Sequence, residues 1–420
     1  MHKVFKLSNG IPVVTESTDY VKSVSAGVWI YAGSAMENIK NNGVSHFIEH
    51  MLFKGTATRT AREIAEYMDA VCGHLNAVTA HDYTCYYTRT LSEHLGMAFE
   101  ILSDMIKNST FTDENIEIER KVIMEEINMS EDDPEDLIHD ILSRTMWKDN
   151  PLGFPIAGTA KTLKGIDKEV ILDYYKERYI ADNIVISVVG NFDEKSAIDM
   201  LEEKFGGIKR CGIIREPQKK LMHTRNVEIV KKDIEQCQLC LGFEGYSRQD
   251  SKNYDLAVVN ALFGGNMSSR LFQKVREESG LAYSVYSYTD SYQNNGSLAI
   301  YAGLNPDELK QALEIIVNEI KILKRDKLTK EEVETAKTQL KAAAVMGNEG
   351  LSARMSHYGK SMLFENEAKN IDDVIRRIDG VSADGVAQVI DSVFDSRKMT
   401  LALLGNIKDT EDELMGILEF

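Results

Sequence analysis

An internal repetition constrains the fold of this chain more than any other feature. The segment 52–55, Leu-Phe-Lys-Gly, recurs at 262–265 as Leu-Phe-Gly-Gly, an offset of 210 residues. A helical pattern at 95–101 recurs at 309–315, and similar matches elsewhere have offsets up to 217. Repetition at this spacing predicts two homologous domains. We place these domains at residues 1–210 and 221–420, with a glycine-containing linker at 206–220.

Each half mixes alternating apolar segments with long helical patterns. Alternation with a period of two indicates strands, whereas apolar residues three and four apart indicate helices. The predicted strands are 24–31, 82–90, 183–190, 235–243, 282–290 and 297–303, and the predicted helices are 61–71, 92–107, 112–130, 307–324 and 329–345. Thr112 and Thr329 are predicted helix N-caps. The sequence therefore predicts an α+β fold with two homologous domains, each a largely antiparallel sheet packed with helices.

Two histidines four residues apart, with a glutamate beside the second, give the strongest functional signal. His46, Glu49 and His50 stand in the order H-x-x-E-H, the inverse of the commoner zinc-peptidase motif. At helical pitch both imidazoles lie on one face and can bind one metal ion, with Glu49 close enough to take a proton from water. Apolar residues at helical spacing fall on the opposite face: Val44, Phe47, Ile48, Met51 and Leu52. Two ordinary histidines on a helix are the alternative for so short a motif.

The second half does not repeat this motif. The aligned positions hold Leu256, Val259 and Asn260, and Glu126 of a later helix aligns with Ala343. An accidental set of polar residues is not expected to disappear together in the copy. We therefore expect metal chemistry in the first domain only.

A catalytic zinc site needs three protein ligands and one open position, so one ligand remains to be found. Spacing alone does not name it. The candidate histidines are His74, His81 and His94, but each is more typical of an ordinary loop or helix-surface histidine. The helix at 112–130 is rich in acids, and its Glu119 and Glu126 lie two turns apart on one face.

These segments resemble the pitrilysin family, which includes insulin-degrading enzymes, the mitochondrial processing peptidase and small bacterial processing proteases. The resemblance is carried by the stretch from His46 to Thr56 and by the stretch from Glu119 to Glu126. The family pairs the inverted motif with a distal glutamate ligand, matching Glu126, and with a supporting acid seven residues earlier, matching Glu119. The resemblance implies one Zn2+ per chain, held by His46, His50 and Glu126.

The resemblance extends past the metal ligands. Residues 73–79 resemble the family's edge strand, which pairs with an extended substrate, and this implies Asn76 and Ala77 as substrate-binding residues. A segment of the second half resembles one whose arginine and tyrosine reach the substrate across a chamber, which implies roles for Arg276 and Tyr283. Two-domain members of the family assemble as dimers that enclose such a chamber. We therefore expect a homodimer that acts on short unfolded peptides.

The implied activity is that of a zinc metalloendopeptidase. Glu49 is expected to act as the general base, and Arg276 or Tyr283 is expected to stabilise the developing negative charge. The alternative is a catalytically inactive structural or substrate-binding subunit of the same fold, which the family also contains. Such members usually lack part of the metal motif, whereas this chain has all of it, including Glu126.

Charge and hydropathy argue against several classes of partner. The net charge of −17 is unfavourable for binding nucleic acid or anionic membranes. No segment approaches the ~20 apolar residues that span a bilayer, and the N-terminal residues lack the apolar region of a signal peptide. We therefore expect a cytoplasmic protein. Five cysteines scattered over the chain do not suggest a disulfide framework.

Overall fold

The chain forms two compact units in a computed structural model that describes residues 2–212, 220–221 and 223–420. The first unit comprises Met1–Asn128, Phe154–Arg215 and Val345–Ile371, and the second comprises Met129–Gly153, Glu216–Ala344 and Asp372–Phe420. Residues 213–219, about half of the predicted linker at 206–220, lie outside the described residues.

The first unit contains a mixed sheet that is largely antiparallel. Its strands are β1 (Lys3–Lys6), β2 (Pro12–Ser17), β3 (Ser23–Ile30), β4 (His74–Thr79), β5 (Thr84–Leu91) and β6 (Ile184–Gly190). Their order across the sheet is β1-β2-β6-β3-β5-β4. Of the strand pairs between described residues, only β2–β6 is parallel, and β4 forms one edge.

Among its described residues, the second unit repeats this arrangement without a counterpart of β1. Its strands are β7 (Asn226–Lys231), β8 (Cys237–Glu244), β9 (Ala282–Ser291), β10 (Gly296–Leu304) and β11 (Thr400–Gly405). Their order is β7-β11-β8-β10-β9, and only the β7–β11 pair is parallel. Position by position, this matches β2-β6-β3-β5-β4. The predicted α+β fold with two homologous domains is therefore confirmed.

Helices cover both sheets. Those up to the second sheet are α1 (Val44–Leu52), α2 (Ala61–Asp69), α3 (Leu95–Asn108), α4 (Asp113–Asp132), α5 (Pro134–Met146), α6 (Ala160–Leu163), α7 (Lys168–Arg178) and α8 (Glu194–Phe205). The later ones are α9 (Lys252–Phe263), a π-helix (Phe272–Glu278), α10 (Leu309–Asp326), α11 (Lys330–Gly347), α12 (Leu351–Glu365), α13 (Ile371–Asp379), α14 (Ala383–Val393) and α15 (Glu411–Ile417). Within the described ranges, none combines the length and the apolarity that crossing a membrane requires.

The predicted helix N-caps are confirmed. The amide of Asn115 donates to Thr112 Oγ1 at 3.3 Å, at the start of α4. The amide of Glu332 donates to Thr329 Oγ1 at 3.2 Å, and the Glu332 carboxylate accepts from the Thr329 amide at 2.8 Å. Both side chains therefore satisfy amides that have no partner inside the helix.

Each sheet is buried on both faces, and in each unit one covering helix comes from the other half of the sequence. In the first unit α12 packs on β3 and β6, closely enough that a Cβ at Gly359 would lie 2.1 Å from Trp29 Nε1. In the second unit α5 packs on β8 and β11. The compact units thus exchange two segments, whereas the predicted boundaries, 1–210 and 221–420, are continuous.

Candidate metal centre

Helix α1 carries two of the predicted metal ligands. Its apolar residues Val44, Phe47, Ile48, Met51 and Leu52 are all buried in the core of the first unit, as the sequence predicts. This packing fixes the rotation of the helix and leaves His46 and His50 on the opposite, partly exposed side. The two imidazole rings lie 4.6 Å apart between centroids, at an interplanar angle of 69°.

Glu126 approaches these rings from helix α4. Its Oε2 lies 3.7 Å from His46 Nε2 and 3.5 Å from His50 Nε2. Ile123 and Ile127, on the buried side of α4, pack in the core and hold the helix in place. The side chain of Glu126 is 44% exposed, so the cluster is open to solvent on one side.

The geometry of these three residues fits a zinc ion. Their ligand atoms all lie within 4.8 Å of one another, and in the described part of the chain they are the one such group of three. Donors bound to zinc at about 2.0–2.1 Å with tetrahedral angles lie about 3.3 Å apart, close to the distances from Glu126. Two imidazole nitrogens and one carboxylate oxygen are the donor set of several catalytic zinc sites. A zinc ion held by these three residues would keep a fourth position for water or substrate.

Glu119 orients one of the histidines. Its carboxylate is 1% exposed, and its Oε2 lies 3.1 Å from His50 Nδ1. Since a carboxylate only accepts, Nδ1 donates this hydrogen bond, and Nε2 keeps its lone pair for a metal. Lys54 Nζ lies 2.7 Å from the other oxygen, Oε1, and balances the buried charge. Glu119 thus lies beside one of the predicted ligands, and the supporting role that the resemblance implies stays a prediction.

The electrostatic environment keeps one ligand neutral and makes Glu49 more basic. Burial lowers the pKa of His46 to about 4, and the neighbouring His50 acts in the same direction. The imidazole of His46 is therefore uncharged near neutral pH, as metal binding requires. Burial raises the pKa of Glu49, whereas a hydrogen bond from Thr79 and the proximity of His50 oppose that rise. A carboxylate with a raised pKa is a stronger base.

Edge strand β4 lies beside α1. Thr79, its last residue, donates a hydrogen bond from Oγ1 to Glu49 Oε2. Asn76 and Ala77 lie on the same strand, whose described pairing is with β5 alone. The amide of Ala77 donates to the side-chain Oδ1 of Asn76 at 2.8 Å. These residues are placed where an extended chain could be added to the sheet.

Arg276 and Tyr283 belong to the second unit and contact each other. The Arg276 guanidinium lies 5.1 Å from the ring centre of Tyr283 and 4.8 Å from that of Phe272. Tyr283 is 78% exposed, on strand β9. Arg276 lies on the π-helix, a type of helix that is frequent at functional sites. Their predicted roles in substrate contact stay predictions.

The sequence analysis did not predict two further residues of the site, Thr79 and Lys54. Thr79 was recognisable only as part of the edge strand, although period-two alternation already places it on the same face as Ala77. Lys54 lies four residues after His50 but just beyond the end of α1. Among the alternative histidine ligands, His81 Nδ1 lies 2.7 Å from Ser34 Oγ, and neither it nor His74 or His94 belongs to the cluster.

The chain matches two family models and resembles solved structures over nearly its whole length. Residues 12–160 match the model "Insulinase (Peptidase family M16)", and residues 165–340 match "Peptidase M16 inactive domain". A protease from Helicobacter pylori has a TM-score of 0.90 at 21% identity, covering 97% of this chain and 99% of that one. The peptidase M16 inactive domain from Pseudomonas fluorescens also scores 0.90, at 18% identity, covering 98% and 99%.

Relatives that are similar in sequence are also named as zinc proteases. An uncharacterized zinc protease of Bacillus subtilis is 41% identical over 404 residues, which cover 96% of this chain and 98% of the relative. An uncharacterized zinc protease of Streptomyces coelicolor is 37% identical over 96% of this chain and 90% of the relative. The predicted resemblance is thus confirmed, and the chain belongs to peptidase family M16, the insulinase family.

Proposed function

We propose that this protein is a zinc metalloendopeptidase that hydrolyses short unfolded peptides. The observation that carries the proposal is the convergence of His46, His50 and Glu126 on one point, with Glu49 on the same helix as the histidines. The names of the relatives support zinc and proteolysis in general terms. The complete set of four residues favours an enzyme over an inactive subunit of the same fold.

The residues of the first unit divide the chemistry between them. A bound zinc ion supplies Lewis-acid chemistry, since it lowers the pKa of a coordinated water and polarises a carbonyl oxygen. Glu49 takes a proton from the attacking water and delivers it to the amine that leaves. The hydroxyl of Thr79 holds Oε2 of Glu49, so the other oxygen, Oε1, is the one available for proton transfer.

Strand β4 supplies the binding site for the peptide backbone. An extended peptide added along this edge forms main-chain hydrogen bonds that make little demand on its sequence. Asn76 and Ala77 are the residues that we assign to this contact. Because Thr79 of the same strand bonds Glu49, a peptide paired with β4 is held in a fixed position relative to the general base. This pairing favours unfolded substrates, because a folded protein offers few free strands.

The experiment that tests the proposal is a peptide-library digest read by mass spectrometry, with a chelator control. We expect cleavage by the purified protein, no cleavage after the metal is removed, and recovery when one equivalent of Zn2+ is added. Metal analysis of the same preparation is expected to give one zinc per chain. Zinc binding without cleavage of any peptide would instead support the inactive-subunit alternative. Cleavage that resists complete metal removal would contradict the proposal.

We further propose a homodimer in which Arg276 and Tyr283 of one chain act on substrate bound at the metal site of the other. Mixing a Glu49→Gln chain with an Arg276→Ala chain tests this. Random pairing makes half of the dimers mixed, each with one complete site, so about a quarter of the wild-type activity should return. Each variant alone serves as the control. No recovered activity in a mixture shown to exchange chains would rule out sites shared between subunits.

A further inference from the structure

The first turn of α1 has no local N-cap side chain. The N-cap residue is Gly43, whose φ of 97° lies in the left-handed region, and a Cβ there would lie 2.8 Å from the carbonyl oxygen of Ala157. Only glycine fits this position. The amides at the start of a helix nevertheless need acceptors, which must here come from elsewhere in the chain.

A buried carboxylate supplies them. Glu37, in the connection between β3 and α1, accepts from the amide of Gly43 at 2.7 Å through Oε2 and from the amide of Ser45 at 2.8 Å through Oε1. The Asn42 side chain donates to Oε2 at 3.0 Å. Glu37 is 4% exposed, and its negative charge lies at the positive end of the helix dipole.

Burying a carboxylate costs free energy, and capping a helix does not require it. Burial raises the pKa of the Glu37 carboxyl, although the amides of Ser45 and Gly43 oppose that rise. The corresponding helix of the second unit, α9, is capped more simply: the amide of Lys252 donates to Asp250 Oδ1 at 3.0 Å, two residues away and partly exposed. That helix carries no metal ligands. The buried acid therefore occurs on the helix whose position matters for metal binding.

His46 depends on this first turn more than His50 does. The ring of His50 is oriented by Glu119, but His46 Nδ1 is buried and has no hydrogen-bond partner among the described residues. With no such hydrogen bond to orient it, the His46 ring depends on its packing and on the position of the backbone that carries it. Its chain neighbour Ser45 is fixed through its amide by Glu37 and through Oγ by Tyr174 OH at 2.9 Å.

We propose that Glu37 is a positioning residue of the metal site, which acts by holding the first turn of α1 so that His46 Nε2 meets His50 and Glu126 at one point. Among the described residues, the Glu37 carboxylate accepts hydrogen bonds from Asn42, Gly43 and Ser45, and not from the metal ligands. This inference rests on the proposed zinc site and adds the residue that fixes its first ligand. Metal–ligand distances in well-formed sites stay within about 0.2 Å of their usual values, so we expect a small shift of this turn to weaken binding.

The test is the zinc affinity of the Glu37→Gln variant, measured by competition with a chromophoric chelator. Glutamine keeps the shape, but its NH2 group must face a donor where a carboxylate oxygen accepted. We expect about a ten-fold loss of affinity, the lower end of the range for hydrogen-bond partners of metal ligands, because Glu37 acts on His46 through the backbone and not directly. With Co2+ in place of zinc, we expect an altered visible absorption spectrum, which reports the ligand geometry directly and does not depend on activity.

The matched control is Glu16→Gln. Glu16 is also a mostly buried acid of the first unit, but it pairs with Arg354 of α12 rather than with α1. Its zinc affinity and Co2+ spectrum should equal those of the wild type, even if its Tm falls. If Glu37→Gln does not fold, Asn42→Ala keeps the carboxylate and removes one of its donors, and it should still lose more affinity than the control.

The results separate this inference from the proposed function. Wild-type protein that binds no zinc at the His46–His50–Glu126 cluster would overturn both. Wild-type protein that binds zinc, together with Glu37 and Asn42 variants that match the Glu16 control in affinity and spectrum, would overturn the role of Glu37 alone.

Discussion

Replacing Glu49 with glutamine is expected to lower kcat for peptide hydrolysis by about 100- to 10,000-fold, the usual contribution of a general base. Glutamine has nearly the same shape, but its amide cannot accept the proton of the attacking water at neutral pH. Glu49 is not among the three residues whose ligand atoms converge, so the zinc content should stay at one ion per chain. Thr79 can still donate to the amide oxygen, which preserves the local packing.

Turnover and metal content must be measured on the same preparation of this variant. Glu66→Gln is a suitable control, since Glu66 is exposed on α2 of the same unit and forms an ion pair with Arg62 on the same helix, away from the metal cluster. That variant should have wild-type turnover. Retained activity in Glu49→Gln would remove Glu49 from the chemistry and favour a structural metal. Loss of zinc together with activity would show that Glu49 supports binding rather than proton transfer.

The local sequence pattern was sufficient to predict that His46 and His50 share one face of a helix. The apolar residues of α1 point into the core, so their periodicity alone fixes the face on which His46 and His50 lie. The third ligand could not be found in this way. Glu126 follows His50 by 76 residues and meets it only because α4 packs beside α1, which is a tertiary contact. The resemblance to a known family was needed to predict Glu126 as the third ligand.

Local sequence patterns also could not predict that α5 covers the second sheet and α12 the first. Amphipathic patterns showed that helices must cover the sheets, but they do not specify which sheet a given helix covers. Strand β8 is buried on both faces, and one of those faces is covered by α5 from the first half of the sequence. The same limit applies to Glu37, since no fixed spacing links a buried carboxylate to the helix that it caps from a loop.

Substitution of Glu126 by alanine is expected to weaken zinc binding by more than about 100-fold. Loss of an outer-shell partner alone costs up to about that factor, and removal of a direct ligand should exceed it. A 100-fold change corresponds to about 2.8 kcal/mol of binding free energy, since each tenfold step is about 1.4 kcal/mol. Peptide hydrolysis should be lost in parallel at limiting zinc. Isothermal titration or chelator competition gives the affinity directly.

The neighbouring residue offers a control that separates ligation from charge. Glu125 is exposed on the same turn of α4 and has the same charge, but its ligand atoms are not in the cluster, so Glu125→Ala should bind zinc like the wild type. Because the Glu126 side chain is 44% exposed while Ile123 and Ile127 remain in the core, the Tm of both metal-free variants should stay close to that of metal-free wild type. Equal affinity in the two variants would mean that Glu126 contributes only negative charge, and the third ligand would have to be sought elsewhere.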